Sequence, residues 1–498
     1  VLFTSFAFLF AYLPIVLAGY FALGRFHRGA AAGWLAASSV FFYGYWSVKY
    51  VPLLLGSILF NYGIGYAIST WRDRSVWGKR ALVLGVVGNL VLLAYYKYAN
   101  FFLQEIVRPL GGHPKVLDIV LPIGISFFTF TQIAYLVDAW RGHARERNFV
   151  HYLLFVTWFP HLIAGPVLHH GQMMPQFRDP AVYRPRSHAL TVGTLLFTIG
   201  IAKKLLIADP ISVYADPVFS AAMAGTPIGM TAAWVGALAY TFQIYFDFSG
   251  YSDMAVGLSM LFGIRLPVNF RSPYKAANIV EFWRRWHITL SHFLRDYLYI
   301  ALGGNRKGAL RRYVNLLITM VLGGLWHGAS WTFILWGTLH GLYLCGNHGW
   351  QWVMARANLA GRLPRVITGP ASVALTFFLV VIAWVYFRAE TVGAAHGVLT
   401  AMFGGAPATS WPDVFGQLSA PVFFLYATVA GVIVWVFPNA YELIDLIERH
   451  VEVHGEEGRR VAAMLCVGAA TTGVLLLGAS LMSTFGTKVN SPFLYFQF

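Results

Sequence analysis

The sequence predicts an all-α, polytopic membrane protein, and three observations predict it. Hydrophobic residues make up 58% of the 498 positions while charged residues make up 11%, less than half the charge of an ordinary soluble domain. Aromatic residues reach 17%, with 17 Trp and 26 Tyr, which suits belts at the two membrane–water interfaces. The mean hydropathy is +0.61, and the apolar residues come in long runs rather than the short alternating segments of a β-barrel.

A membrane-crossing helix needs about 20 apolar residues. Runs of that kind lie near 6–23, 30–48, 51–69, 81–99, 119–137, 149–167, 189–207, 229–247, 250–264, 313–333, 334–350, 370–388, 420–438 and 461–482. The first is too long for the apolar core of a signal peptide and reads as a retained span. Those interrupted by Gly and Pro, above all "WFPHLIAGPVLHHG" and the 250–264 run, read as re-entrant segments, which persist only when enclosed in protein. About eleven true spans are expected, within a single integral membrane domain covering residues 1–498. No internal repeat or low-complexity tract divides the chain.

Lys and Arg outnumber Asp and Glu, 36 to 20. In a membrane protein this excess marks cytoplasmic loops and does not imply nucleic acid. "GRFHRG", "WRDRSVWGKR" and "RGHARERN" follow the first, third and fifth runs, so the N-terminus is placed outside. The basic region 265–312 is placed at the cytoplasmic face. The two cysteines, Cys345 and Cys466, are too few for a disulfide framework and lack metal-ligand spacing, so both read as small core residues. With neither HExxH nor a phosphate-binding Gly-rich loop present, no metal is expected.

Three stretches carry ionisable groups in apolar surroundings. In "NIVEFWRRWHITLSHFLRDYLYI", residues 278–300, Phe282, Trp286, Leu290, Phe293 and Tyr297 fall on one helical face. Trp283, Leu294 and Leu298 widen it, and His287 falls among them near its edge. The expectation is one amphipathic interfacial helix. His287 reads there either as an ordinary hydrogen-bonded histidine or as a site residue. In "YTFQIYFDFSGYSDMAVG", residues 240–257, Asp247 and Asp253 must each meet an Arg, a backbone N–H or a helix N-terminus. Asp253 is expected to cap a helix after a break at Ser249–Gly250.

The third stretch is "LITMVLGGLWHGASWTFILWGTLHG", residues 317–341. If its span starts near Tyr313, His327 lies about 20 Å from the cytoplasmic end, too deep for a short side chain to reach water. An ionisable group there signals a functional site or a wet cavity. Burial favours the neutral imidazole, and a neutral imidazole is a competent general base for a hydroxyl attacking a carbonyl. Gly323, Gly324 and Gly328 either make room for a substrate or let helices pack closely.

These residues, "YFDFSGYSDMAVG", "NFRSPYKAANIVEFWRRWHITLSHFLRDYLYI" and "GLWHGASWTFILWG", resemble the membrane-bound O-acyltransferase (MBOAT) family. The opening "LFTSFAFLFAYLPIVLAGYF" and closing "SPFLYFQF" resemble its bacterial branch that acetylates exported polysaccharides such as alginate; the D-alanyl transfer branch of teichoic acid synthesis is more distant. The resemblance runs end to end. It implies the MBOAT fold, tilted helices with interfacial and re-entrant segments around a central tunnel. His327 matches the family's catalytic histidine, and His287 its second signature histidine. It further implies an O-acetyltransferase of the bacterial inner membrane that binds no permanent cofactor. Acetyl-CoA is the expected donor, and a periplasmic acetyltransferase partner or the exported polymer the acceptor. Arg271, Lys275, Arg284 and Arg285 are candidates to hold the donor's phosphates, or serve topology alone. The rivals are transfer of another acyl group, D-alanyl included, by the same fold, and a non-catalytic transporter.

Overall fold

A computed structural model describes residues 3–71, 76–144, 146–358, 367–486 and 493–494. Side chains of many residues between 456 and 486, Cys466 among them, lie outside the description, as does most of the closing motif beyond Phe493 and Leu494. The described residues form helices and connecting loops without a strand.

The chain groups into two compact units. The first comprises residues 1–201, 251–268 and 446–496. Its opening helices α1 (Leu13–Phe26) and α2 (Arg28–Ser47) form a hairpin. His27 caps α2, its Nδ1 accepting from the Ala30 N–H at 3.0 Å. Tyr12 and Trp34 tie the pair together by donating to the Ser38 and Val16 carbonyls at 2.9 and 3.0 Å. The next three helices, α3 (Val51–Thr70), α4 (Val76–Leu93) and α5 (Ile125–Trp140), pack against one another. Two devices suited to a membrane join them. Asn61 and Asn89 exchange side-chain amide hydrogen bonds at 3.2 and 2.6 Å. Gly65 and Gly85 lie beneath Tyr135 and Leu136, with no room for a Cβ.

After the nine-residue helix α6 (Phe149–Thr157), residues 158–168 run as buried turns without regular structure. Its burial meets the condition a re-entrant segment must satisfy, since irregular backbone needs protein on every side. The re-entrant expectation does not hold for 250–264, most of which continues a single 32-residue helix, α7 (Met230–Leu261). There is no break at Ser249–Gly250, so Asp253 caps nothing. It is an interior helical residue, 1% exposed.

The second unit comprises residues 202–250, 269–445 and 497–498. Its most closely packed pair is α8 (Gly308–His327) and α9 (Trp331–Arg356). A Cβ on Gly324 would meet the Phe333 carbonyl, and one on Gly337 the Met320 carbonyl. These glycines serve close helix packing, the plainer of the two expectations. Cys345 is half-buried, with its Sγ 3.8 Å from the Tyr313 carbonyl.

Among the described residues, five helical stretches are long and apolar enough to cross a membrane: Phe8–Phe26, Arg28–Thr70, Val76–Val107, Ser187–Ser212 and Gly369–Arg388. The pair Ala420–Trp435 and Ala440–Gly455, bent by 52°, makes a sixth if it is one broken span. The helices α7, α8 and α9 are long enough, but they carry polar residues such as Gln243, Asp247, Asn315 and His340 that lower their hydropathy.

Candidate active site

His327 is not in the middle of a span. It is the last residue of α8, Gly328 is extended, and α9 begins at Trp331 behind a Ser330 side-chain cap. The tight α8–α9 packing thus brings the histidine to the tip of a helical hairpin. A Gly-Ala-Ser connection cannot continue the helix, because Ser330 offers its oxygen to the Thr332 N–H. The imidazole is 6% exposed. Around it stand Trp326, Trp336 and Phe387, at ring-centroid distances of 4.9, 5.1 and 5.1 Å.

The single amphipathic helix expected over 278–300 is broken, and the break falls at His287. One helix runs Ile279–Arg285, a second Ile288–Phe293, and a wider π turn follows over Leu294–Tyr299. His287 lies between the first two with φ +42°, in the left-handed region. Backbone pairing with the preceding strap fixes the break. The Arg271 N–H donates to the Arg285 carbonyl, and the Ile288 N–H to the Asn269 carbonyl, both at 2.9 Å. The kink turns His287 inward to complete burial. It therefore does not sit at an interfacial edge as a continuous helix would place it.

The two histidines, far apart in sequence, meet: their ring centroids are 6.4 Å apart with planes inclined at 58°. Trp326 faces both, 6.3 Å from His287. Phe248 of α7 abuts His287 edge-on at 4.8 Å. The result is a predominantly aromatic cluster around two buried imidazoles, an environment of low dielectric in which proton transfer and charge development respond strongly to a few fixed dipoles.

Sequence reasoning missed another buried histidine beside these two. His340 is fully buried one helical turn beyond Trp336, 4.8 Å from its ring. The Trp283 indole, which can only donate, gives its N–H to His340 Nδ1 at 3.3 Å, so the His340 proton sits on Nε2. The i, i+4 spacing of Trp336 and His340 was available in the sequence as a shared helical face. Asn269 was also missed: nothing in "RLPVNF" sets it apart from a turn asparagine.

The basic candidates separate. Arg285 pairs with Glu281 one turn earlier at 2.5 Å, and Lys275 donates to the Phe437 carbonyl at 2.8 Å; both hold local structure. Arg271 and Arg284 are exposed. Asp247 finds a lysine rather than an arginine: Lys204 Nζ lies 2.5 Å from Asp247 Oδ1 and 2.8 Å from Asp209 Oδ1.

Comparison with known proteins places the chain in a family. Residues 40–387 match the model of MBOAT, the membrane-bound O-acyltransferase family. A peptidoglycan O-acetyltransferase of Helicobacter pylori is 42% identical over 430 residues, covering 81% of this chain and 80% of the relative. A probable alginate O-acetylase of Pseudomonas putida is 40% identical over the full length of both proteins. A teichoic acid D-alanyltransferase of Bacillus subtilis is 28% identical over 49% of this chain and 63% of the relative. The matched span includes both His287 and His327. The chain belongs to the membrane-bound O-acyltransferase family and is an acyltransferase.

Proposed function

We propose that this protein is an O-acetyltransferase of the bacterial inner membrane, using His327 as general base to move an acetyl group from a cytoplasmic thioester, acetyl-CoA, to a hydroxyl of an exported polysaccharide. The observation that carries the reading is the meeting of His287 and His327 in one aromatic cluster, 6.4 Å between centroids. In the reaction the hydroxyl oxygen attacks the thioester carbonyl carbon as the His327 imidazole takes the hydroxyl proton. The carbon–sulfur bond then breaks, and the imidazolium returns the proton to the departing thiolate. The tetrahedral stage is worth stabilising in a dry site, where a single fixed N–H or indole dipole has a large effect.

Two relatives are named for O-acetylation of alginate and of peptidoglycan, at 40% and 42% identity over most of this chain. Both named acceptors are carbohydrates, which supports a glycan hydroxyl as the acceptor class, reached directly or through a periplasmic acetyltransferase. D-Alanyl transfer has the weaker support of 28% identity over half the chain. Family membership removes the transporter reading. The exposed Arg271 and Arg284 are the candidates to meet the donor's phosphates.

The test is reconstitution into vesicles with radiolabelled acetyl-CoA on one side and uronic-acid or peptidoglycan oligosaccharides on the other. The expected product is an alkali-labile acetyl ester on one of the glycans. No ester from acetyl-CoA, with transfer instead from a D-alanyl carrier protein, would replace this reading with the second one.

A further inference from the structure

We propose that Asn269 is a positioning residue that locks His287 in its Nδ1–H form, so that Nε2 presents a lone pair to a substrate hydroxyl. The inference rests on the acetyl-transfer reading and assigns a working atom within it.

The argument begins with the oxygen of Asn269. It lies 3.1 Å from His287 Nδ1, 3.3 Å from the Thr289 backbone N and 2.9 Å from Thr289 Oγ1. A backbone N–H can only donate, so the atom facing it is the amide oxygen and not the amide nitrogen. An oxygen that accepts from Thr289 also accepts from the ring, and His287 Nδ1 therefore carries the proton. In a neutral imidazole the other nitrogen is then an acceptor. His287 Nε2 is buried and has no hydrogen-bond partner among the described residues. A buried acceptor left open is unfavourable, and a ligand hydroxyl relieves it.

The backbone points the same way. His287 holds φ +42°, a left-handed conformation that is strained for a non-glycine residue. Glycine would adopt it freely, so what the position needs is the imidazole. Strain of this kind persists where the surroundings over-determine it, and Asn269 supplies that constraint twice. Its carbonyl accepts from the Ile288 N–H at 2.9 Å, while its side chain fixes the ring. Both residues are fully buried, so solvent does not compete for either contact.

The test uses the full-length protein in lipid vesicles, with radiolabelled acetyl-CoA as donor, and five variants whose folding is checked by thermal melting in detergent. Asn269→Ala is expected to lower kcat at least about tenfold, part of the 10²–10⁴ that a positioned acid–base group supplies, with KM for acetyl-CoA unchanged. Asn269→Asp keeps an oxygen at the same place and is expected to recover much of that loss. His287→Gln puts an acceptor where Nε2 stands and is expected to outperform His287→Asn, which keeps only the Nδ1 side. Nitrogen-15 solid-state NMR, assigned by loss of the signal in His287→Gln, is expected to show His287 protonated at Nδ1. A folded Asn269→Ala variant with full kcat, His287→Asn outperforming His287→Gln, or an Nε2–H tautomer overturns the proposal. If Asn269→Ala does not fold, the glutamine–asparagine pair and the tautomer decide. His327→Ala keeps the two readings apart: full activity there removes the acetyl-transfer site, whereas its loss alongside an indifferent Asn269→Ala removes only the role of Asn269.

Discussion

Replacing Lys204 with Met tests how the second unit tolerates charge inside a membrane protein. The Lys204 side chain is 5% exposed and that of Asp247 3%, at an Nζ–Oδ1 distance of 2.5 Å; Asp209, 25% exposed, completes the cluster at 2.8 Å. Removing the cation takes away the ammonium that lies against a nearly dry carboxylate. Breaking a buried pair from one side costs about 3–5 kcal/mol, and Asp209 is wet enough to relax. Lys204→Met is therefore expected to lose about 3–4 kcal/mol in SDS-titration unfolding from mixed micelles. Replacing the pair together, Lys204→Met with Asp247→Asn, removes that carboxylate's charge as well and is expected to recover at least about half of the loss. Asp247 precedes Phe248, which braces His287, so acetyl transfer is expected to fall and recover in parallel. A single variant within about 1 kcal/mol of wild type, the level of an exposed pair, or a double variant no better than the single one, refutes the reasoning.

Three further outcomes follow from other parts of the structure. Gly337→Ala drives a Cβ into the Met320 carbonyl and is expected to cost about 1–3 kcal/mol and to lower transfer by displacing the α8 end that carries His327; unchanged melting and rate contradict this. In the 141–148 loop, burial alone would raise the Glu146 carboxyl, but His151, the Asn148 N–H and Arg178 outweigh it and hold it at about 2. Because the folded value is depressed, the stabilisation is full above the usual 4.5 and is lost as pH falls from there toward about 2; Glu146→Gln is expected to melt lower than wild type at pH 7, with the gap closing on acidification. Arg271→Gln with Arg284→Gln is expected to raise KM for acetyl-CoA about fivefold, the scale of an exposed charge contact, with kcat unchanged; an effect on membrane insertion alone removes these residues from the donor site.

The parts of the molecule that were legible in the sequence are those set by local pattern. Apolar runs located the helices of the first unit, and His327 in apolar context marked the candidate site, because an ionisable group in such a run has few explanations. What the pattern did not reveal was set by contacts between distant residues. The 278–300 segment has an uninterrupted amphipathic period, yet it breaks at His287, because the 269–271 strap pairs with 285–288 and supplies the imidazole with a hydrogen-bond acceptor. The Ser249–Gly250 pair looks like a breaker but lies inside one long helix, since a single glycine costs a helix only about 1 kcal/mol and tertiary packing outweighs it. Asn269 and His340 carry no local signal strong enough to separate them from ordinary turn and core residues; their partners, His287 and Trp283, are 18 and 57 positions away.

The central claim, that His327 is the base for acetyl transfer, is tested most directly by His327→Ala in the reconstituted radiolabelled acetyl-CoA assay, at matched folded protein judged by melting temperature. The account predicts a folded variant whose transfer falls by about 10²- to 10⁴-fold. A folded variant that keeps more than about a third of wild-type transfer, far short of the loss of a general base, contradicts it.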